Sequence, residues 1–177
     1  METMRVNDSE YKILKLLGKG KGGYSYLAEK SGGLFVLKQI HHKPCDYYQF
    51  GNKIEAEMRD YERLLQAGIK IPRKIEIDEK SERIVKEFID GKTIFELLER
   101  AEDVSPYLPE VRKMAANAKS HGLNIDYYPT NFVCRQSDGE LFYIDYECND
   151  YCDEWNFENW GIKHWIRKNA PQNENEN

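Results

Sequence analysis

Several residues in this chain have the types and order that phosphate chemistry needs. Gly18-Lys19-Gly20-Lys21-Gly22-Gly23 fits G-x-G-x-x-G, and glycines without Cβ atoms let backbone N–H groups approach phosphate oxygens. Lys38 ends the apolar run Phe35-Val36-Leu37, 15 residues past Gly23. An ammonium in such a run is costly to bury without an anionic partner. Glu57 is one such partner: it lies four before Tyr61 and seven before Leu64, which turns it toward the packed face of a helix. Asp126 and Asn131 form a D-x4-N, and Asp145 follows 14 residues later, after Phe142-Tyr143-Ile144. An amide oxygen and a carboxylate at two ends of a hairpin suit a hard cation such as Mg2+. Asp126, in the loop before them, is placed to accept a proton from an attacking hydroxyl.

These residues need elements to hold them. Tyr11–Leu17, Tyr24–Glu29, Leu34–Ile40, Ile71–Ile77 and Arg83–Ile89 read as strands, with the glycine loop between the first two. Asn52–Ala67 reads as a helix, because Ile54, Met58, Tyr61 and Leu65 recur at four, three and four, and Gly68 supplies its stop. Thr93–Glu102 is a second helix with a capping-box spacing from Thr93 to Glu96. Glu110–Ser120 is a third, with Val111, Met114, Ala115 and Ala118 on one face. Phe132–Cys134 and Leu141–Ile144 read as a hairpin turning at Ser137-Asp138-Gly139, and Asp153–Lys168 as a last helix. The fold class expected is α+β: a five-stranded antiparallel half with one helix over 1–87, a connector at 88–91, and a reduced, mostly helical half over 92–170. The polar end 171–177 is expected to be disordered. A dinucleotide-binding fingerprint would need a helix after the glycines and an acid near the end of the second strand; a strand follows instead, and Leu37–His42 holds no acid.

Twelve Tyr, seven Phe and three Trp exclude wholesale disorder, and no apolar run is long enough to span a membrane. No apolar leader region is visible, so a cytoplasmic location is expected. The net charge of −5 argues against nucleic acid as a partner. Charge is uneven: residues 1–45 hold eight Lys/Arg against four Asp/Glu, and residues 125–160 hold nine Asp/Glu against Arg135. One end can meet anions and the other a cation. His41, His42 and Cys45 cluster loosely, and Cys148 and Cys152 are four apart, but neither group has the second pair that a zinc site needs. Free thiols in loops and core are expected, Cys134 among them. Tyr151, Trp155, Phe157, Trp160 and Trp165 read as helix packing, or, if exposed, as a docking face for a homodimer.

The ordered set resembles the protein-kinase-like superfamily along residues 11–147, in the reduced form of RIO-type kinases and the aminoglycoside phosphotransferase group. The resemblance implies a two-lobed fold and an ATP- and Mg2+-dependent phosphotransferase acting on a protein Ser/Thr or small-molecule hydroxyl. It implies that Gly18, Gly20 and Gly23 cover the nucleotide phosphates, and that Glu57 holds Lys38 against them. Asp126 is implied as the catalytic base, Asn131 and Asp145 as metal ligands. Glu87 (carbonyl) and Ile89 (amide) are implied to read adenine, with Lys86 at the gatekeeper position. The chain departs from the family pattern in several places. Asn124-Ile125-Asp126 stands for H-R-D, Tyr146-Glu147 for Phe-Gly, and Ser25 for the valine after the loop. No A-P-E follows Asp145, and only 32 residues remain. Asp153-Glu154-Trp155-Asn156 resembles the D-x-W-S that begins the helix under the catalytic loop. A nucleotide-binding pseudokinase used as a regulatory module is the alternative that the missing peptide platform suggests.

Overall fold

The computed structural model describes residues 2–42 and 52–166; Cys45 and the tail 171–177 lie outside them. The chain is α+β. Its first half builds one antiparallel sheet from β1 (Thr3–Val6), β2 (Ser9–Lys19), β3 (Gly23–Lys30), β4 (Gly33–Ile40), β5 (Lys74–Asp78) and β6 (Arg83–Glu87), in the order β1-β2-β3-β4-β6-β5. The sheet therefore has six strands rather than the five expected. The extra strand is β1, whose four residues alternate polar and apolar but are too few to stand out, and which pairs with β2 across the tight turn Asn7-Asp8. Asn7 takes the left-handed region (φ 48°) there, which its short polar side chain tolerates.

Helix α1 (Lys53–Gln66) packs on one face of this sheet, and Ile54, Tyr61 and Leu64 join Ile40 and Ile84 in the main core. Asn52 Oδ1 accepts from the Glu55 amide to cap its start. At its end Gly68 adopts φ 69°, and the amides of Gly68 and Ile69 bond to the carbonyls of Leu65 and Leu64. That is a complete glycine-terminated stop. The other face encloses a second small core of Val6, Tyr11, Ala28, Leu37 and Val85.

The second half is built from β7 (Gly91–Thr93), α2 (Ile94–Glu99), α3 (Leu108–Ser120), β8 (Leu123–Ile125), β9 (Phe132–Arg135), β10 (Leu141–Tyr143), β11 (Cys148–Asp150) and α4 (Ile162–Trp165). Thr93 and Glu96 make both bonds of the capping box. The hairpin β9–β10 forms as expected, with Gly139 at φ 73° in its turn. Two pairings were not foreseen: β7 adds to β9, and β11 pairs with β8. The half is thus less helical than expected. The last helix is also shorter and broken: Asp153–Trp155 is one 3-10 turn, Phe157–Gly161 a π-helical turn, and regular α-helix begins only at Ile162. Asn156 is the physical cause, being extended (ψ 171°) and using its Oδ1 to accept from the Asn159 amide. Among the described residues, no helix is long and apolar enough to cross a membrane.

Candidate functional site

The site forms where the α1 side of the sheet faces the hairpin of the second half. On the sheet, Ser25 stands opposite Lys38 and Val36 opposite Lys86. The period of two then puts Lys38 and Lys86 on one face, with Ile84 and Ile40. Lys38 donates to Glu57 Oε1 in an ion pair whose side chains are 15% and 17% exposed. Burial works against the Lys38 charge, but the carboxylates of Glu57 and Asp145, with Glu147 behind them, outweigh it and raise its pKa above the ordinary lysine value. Lys38 and Asp145, 107 positions apart in the chain, therefore share one electrostatic site.

The glycine loop closes over this ammonium. The Gly20 amide bonds to the Gly23 carbonyl at 2.9 Å, and the His41 amide bonds to the Gly22 carbonyl at 3.3 Å. A Cβ on Gly22 would sit 3.9 Å from Lys38 Nζ, and one on Gly23 would strike the Gln39 carbonyl oxygen at 2.5 Å. Gly23 is thus required by close approach to β4. Gly18 lies within β2 opposite Ser25, and a Cβ there would meet nothing within 4 Å.

Backbone pairing gathers the acidic residues. Strand β8 leads directly into Asp126, and its antiparallel partner β11 follows Glu147, so the register brings positions 126 and 147 side by side. The Asp126 carboxylate accepts from the Tyr128 amide at 3.0 Å. Asn131 Nδ2 donates to the Asp126 carbonyl at 3.3 Å, which leaves Asn131 Oδ1 as an acceptor. The Ile144 amide donates to the Asn131 carbonyl at 2.9 Å, tying Asn131 to the residue before Asp145. Asp145 Oδ1 accepts from the Tyr146 amide at 2.8 Å. These two free oxygen functions are of the hard type that Mg2+ prefers. Among the described residues, no three or more His, Cys, Asp and Glu cluster closely enough to hold a metal by themselves.

Two residues of the candidate site, Glu147 and Tyr143, escaped the sequence reading, and Lys86, expected at the gatekeeper position, joins them. Glu147 is a further acid in the site: burial and the charge of Asp145 raise its carboxyl above the usual range, with Lys38 opposing. Tyr143 is fully buried, and its hydroxyl donates to the Glu147 carbonyl at 2.8 Å while accepting from the Asp126 amide at 3.3 Å. Lys86 is 8% exposed and donates to the Ile144 carbonyl at 2.6 Å. The alternation of acid and aromatic in Asp145-Tyr146-Glu147 was the available signal for Glu147.

The Glu87 side chain turns to the Arg73 amide at 3.1 Å, and its own amide bonds to the Arg73 carbonyl. Ile89 is buried with Val133 and Phe142, with Ile144 against them. Of the aromatic end, Phe157 and Trp165 are core, and Trp165 Nε1 donates to the Tyr127 carbonyl at 2.8 Å beneath the Asp126 loop. Trp155 is 51% exposed. Cys148 is buried against Asp60, Cys152 is exposed, and His42 is bonded to Glu82. A cleft of about 300 Å³ opens beside Tyr128 and Pro129, lined also by Phe95, Leu98, Glu99 and His164. No family model matches the chain, and no curated protein matches it.

Proposed function

We propose that this chain is an ATP- and Mg2+-dependent phosphotransferase on a two-lobed, protein-kinase-like scaffold, acting on the hydroxyl of a protein Ser/Thr or of a small molecule. One observation carries the reading: the ammonium of Lys38, paired with Glu57 and covered by the glycine loop, shares its field with Asp145 from the distant hairpin. A buried cation flanked by carboxylates beneath a glycine turn suits a polyphosphate with its counter-ion.

In this reading Lys38, with loop amides other than that of Gly20, neutralises the nucleotide phosphates, and Glu57 fixes the lysine rotamer. Asn131 Oδ1 and Asp145 would hold Mg2+, whose charge stabilises the phosphoryl oxygens when it is bound. Asp126 Oδ1 is held by the Tyr128 amide, so the carboxylate is oriented to take the proton of an acceptor hydroxyl. Positioning and charge compensation supply most of the catalysis in such a reaction.

The test is Mg2+-dependent phosphate release and autophosphorylation by the purified full chain. Asp145→Ala is expected to abolish turnover. Lys38→Met is expected to lower it by about 100-fold or more with the fold intact, since charge-stabilising groups in such sites contribute on that order. Undiminished turnover in both variants rejects the mechanism. Tight nucleotide binding without transfer identifies a regulatory pseudokinase instead.

A further inference from the structure

Lys86 is a lysine the proposed chemistry does not use, yet it lies deeper than the one it does. It comes from β6, opposite Val36, and only 8% of it is exposed. Its ammonium donates to the Ile144 carbonyl at 2.6 Å and lies 4.6 Å from the centre of the Tyr146 ring. It therefore grips the residues on both sides of Asp145 and bridges the sheet to the hairpin. The same segment is pinned elsewhere: the Ile144 amide bonds to the Asn131 carbonyl, and the Tyr146 hydroxyl to the Pro72 carbonyl at 2.5 Å.

We propose that Lys86 is a positioning residue that straps the Ile144–Tyr146 segment to the sheet and so fixes Asp145 in its metal-presenting orientation. The inference rests on the phosphotransferase reading above and deepens it. Packing alone does not account for a lysine here. Taking an ammonium out of water is costly, and apolar side chains of like volume are commonly neutral or stabilising in such places. Burial accordingly lowers the Lys86 pKa, and Lys38 on the same face repels it while Asp145 opposes both. The fold tolerates two nearby lysines on one sheet face, an arrangement that makes sense where the second holds the segment that carries Asp145.

The test titrates Mg2+ by calorimetry into the full chain saturated with a non-hydrolysable ATP analogue, alongside urea unfolding of the same proteins. For Lys86→Met the expected result is an unfolding midpoint equal to or above wild type, with Mg2+ affinity lower by on the order of 10- to 100-fold, as for other groups that orient a metal ligand. Lys86→Arg, which keeps a donor and the charge, is expected to recover part of that affinity. Three results overturn the inference: unchanged affinity in Lys86→Met, tighter binding (the lysine then acts as a competing counter-ion), or a large loss of stability (its role is then structural). Wild-type protein that takes up no Mg2+ with the analogue overturns the phosphotransferase reading too, which separates the two failures.

Discussion

Tyr143 shows how one side chain sets the geometry of the acidic end of the site. Its ring is buried against Phe132, and its hydroxyl joins the Asp126 amide to the Glu147 carbonyl. Removing that oxygen leaves a partly buried donor and acceptor without partners, a loss of about 1–3 kcal/mol. Tyr143→Phe is therefore expected to fold, to unfold at lower urea by that amount, and to lose kcat more than KM as Asp126 loosens. Equal stability together with unchanged kcat would show that the bridge does not matter. The thiols give an independent check on the described packing. Burial, with Asp60 beside it, pushes the Cys148 thiol up to about 12, so it is protonated and shielded at neutral pH. Cys148 is expected to resist iodoacetamide at pH 8 until the protein unfolds, while exposed Cys152 reacts in the native state. Peptide mass mapping reads both.

At the level of elements, the capping box and one glycine make predictions of different size. Thr93 Oγ1 accepts from the Glu96 amide at 3.0 Å, and Glu96 Oε2 accepts from the Thr93 amide at 2.7 Å. Thr93→Ala is expected to cost about 1 kcal/mol in urea unfolding. Gly91 is less forgiving: a Cβ there would sit 1.9 Å from the Cys134 carbonyl oxygen, within the β7–β9 pairing. Backbone cannot yield as a side-chain tip does, so Gly91→Ala is expected to cost about 2–3 kcal/mol or more. Both results bear on how much of the fold the residues announced. Helix α1 was legible because its periodicity and the Gly68 stop agree, although Leu65 of the expected apolar row is exposed and Leu64 takes its place in the core. The capping box was equally plain. Strand β1 was not, since four residues make its polar–apolar alternation too short to stand out and it depends on β2 for partners. Strands β8 and β11 were hidden for the same reason: three residues each carry too little pattern, and their pairing is a long-range fact. That pairing also explains Glu147, whose place beside Asp126 follows from register rather than from spacing in the chain. The C-terminal segment misled because aromatic spacing suggests a helix while Asn156 diverts the backbone.

Across the whole molecule, the curl of the sheet makes its α1 side available to the hairpin. The two edge strands approach each other. Asn7, in the turn after β1, donates its amide to Asp78 Oδ2 at 2.9 Å and its side-chain amide to the Ile77 carbonyl at 2.9 Å and Glu76 Oε1 at 3.0 Å, all at the end of β5. Arg83 adds a bond to the Arg5 carbonyl at 2.6 Å, and Tyr11 one to Glu76 at 2.9 Å. The small core of Val6, Tyr11, Leu37 and Val85 is thereby enclosed by the sheet itself. The backbone amides of Asn7 and Ser81 hold the Asp78 carboxyl down at about 2. Because the folded value lies below the ordinary 3.8, folding favours the ionised form. The contribution is complete above about pH 4 and is lost as the pH falls toward 2. Solvent screens this exposed group, so about 1 kcal/mol is its upper bound. Asp138, held low by Arg135, titrates in the same window, so wild type must be compared with a variant rather than with itself. Asp78→Asn is expected to be less stable than wild type at pH 6 and to converge with it by pH 2, as read from urea midpoints at each pH. A constant gap across that range would mean that the two edges are held together without the Asp78 charge.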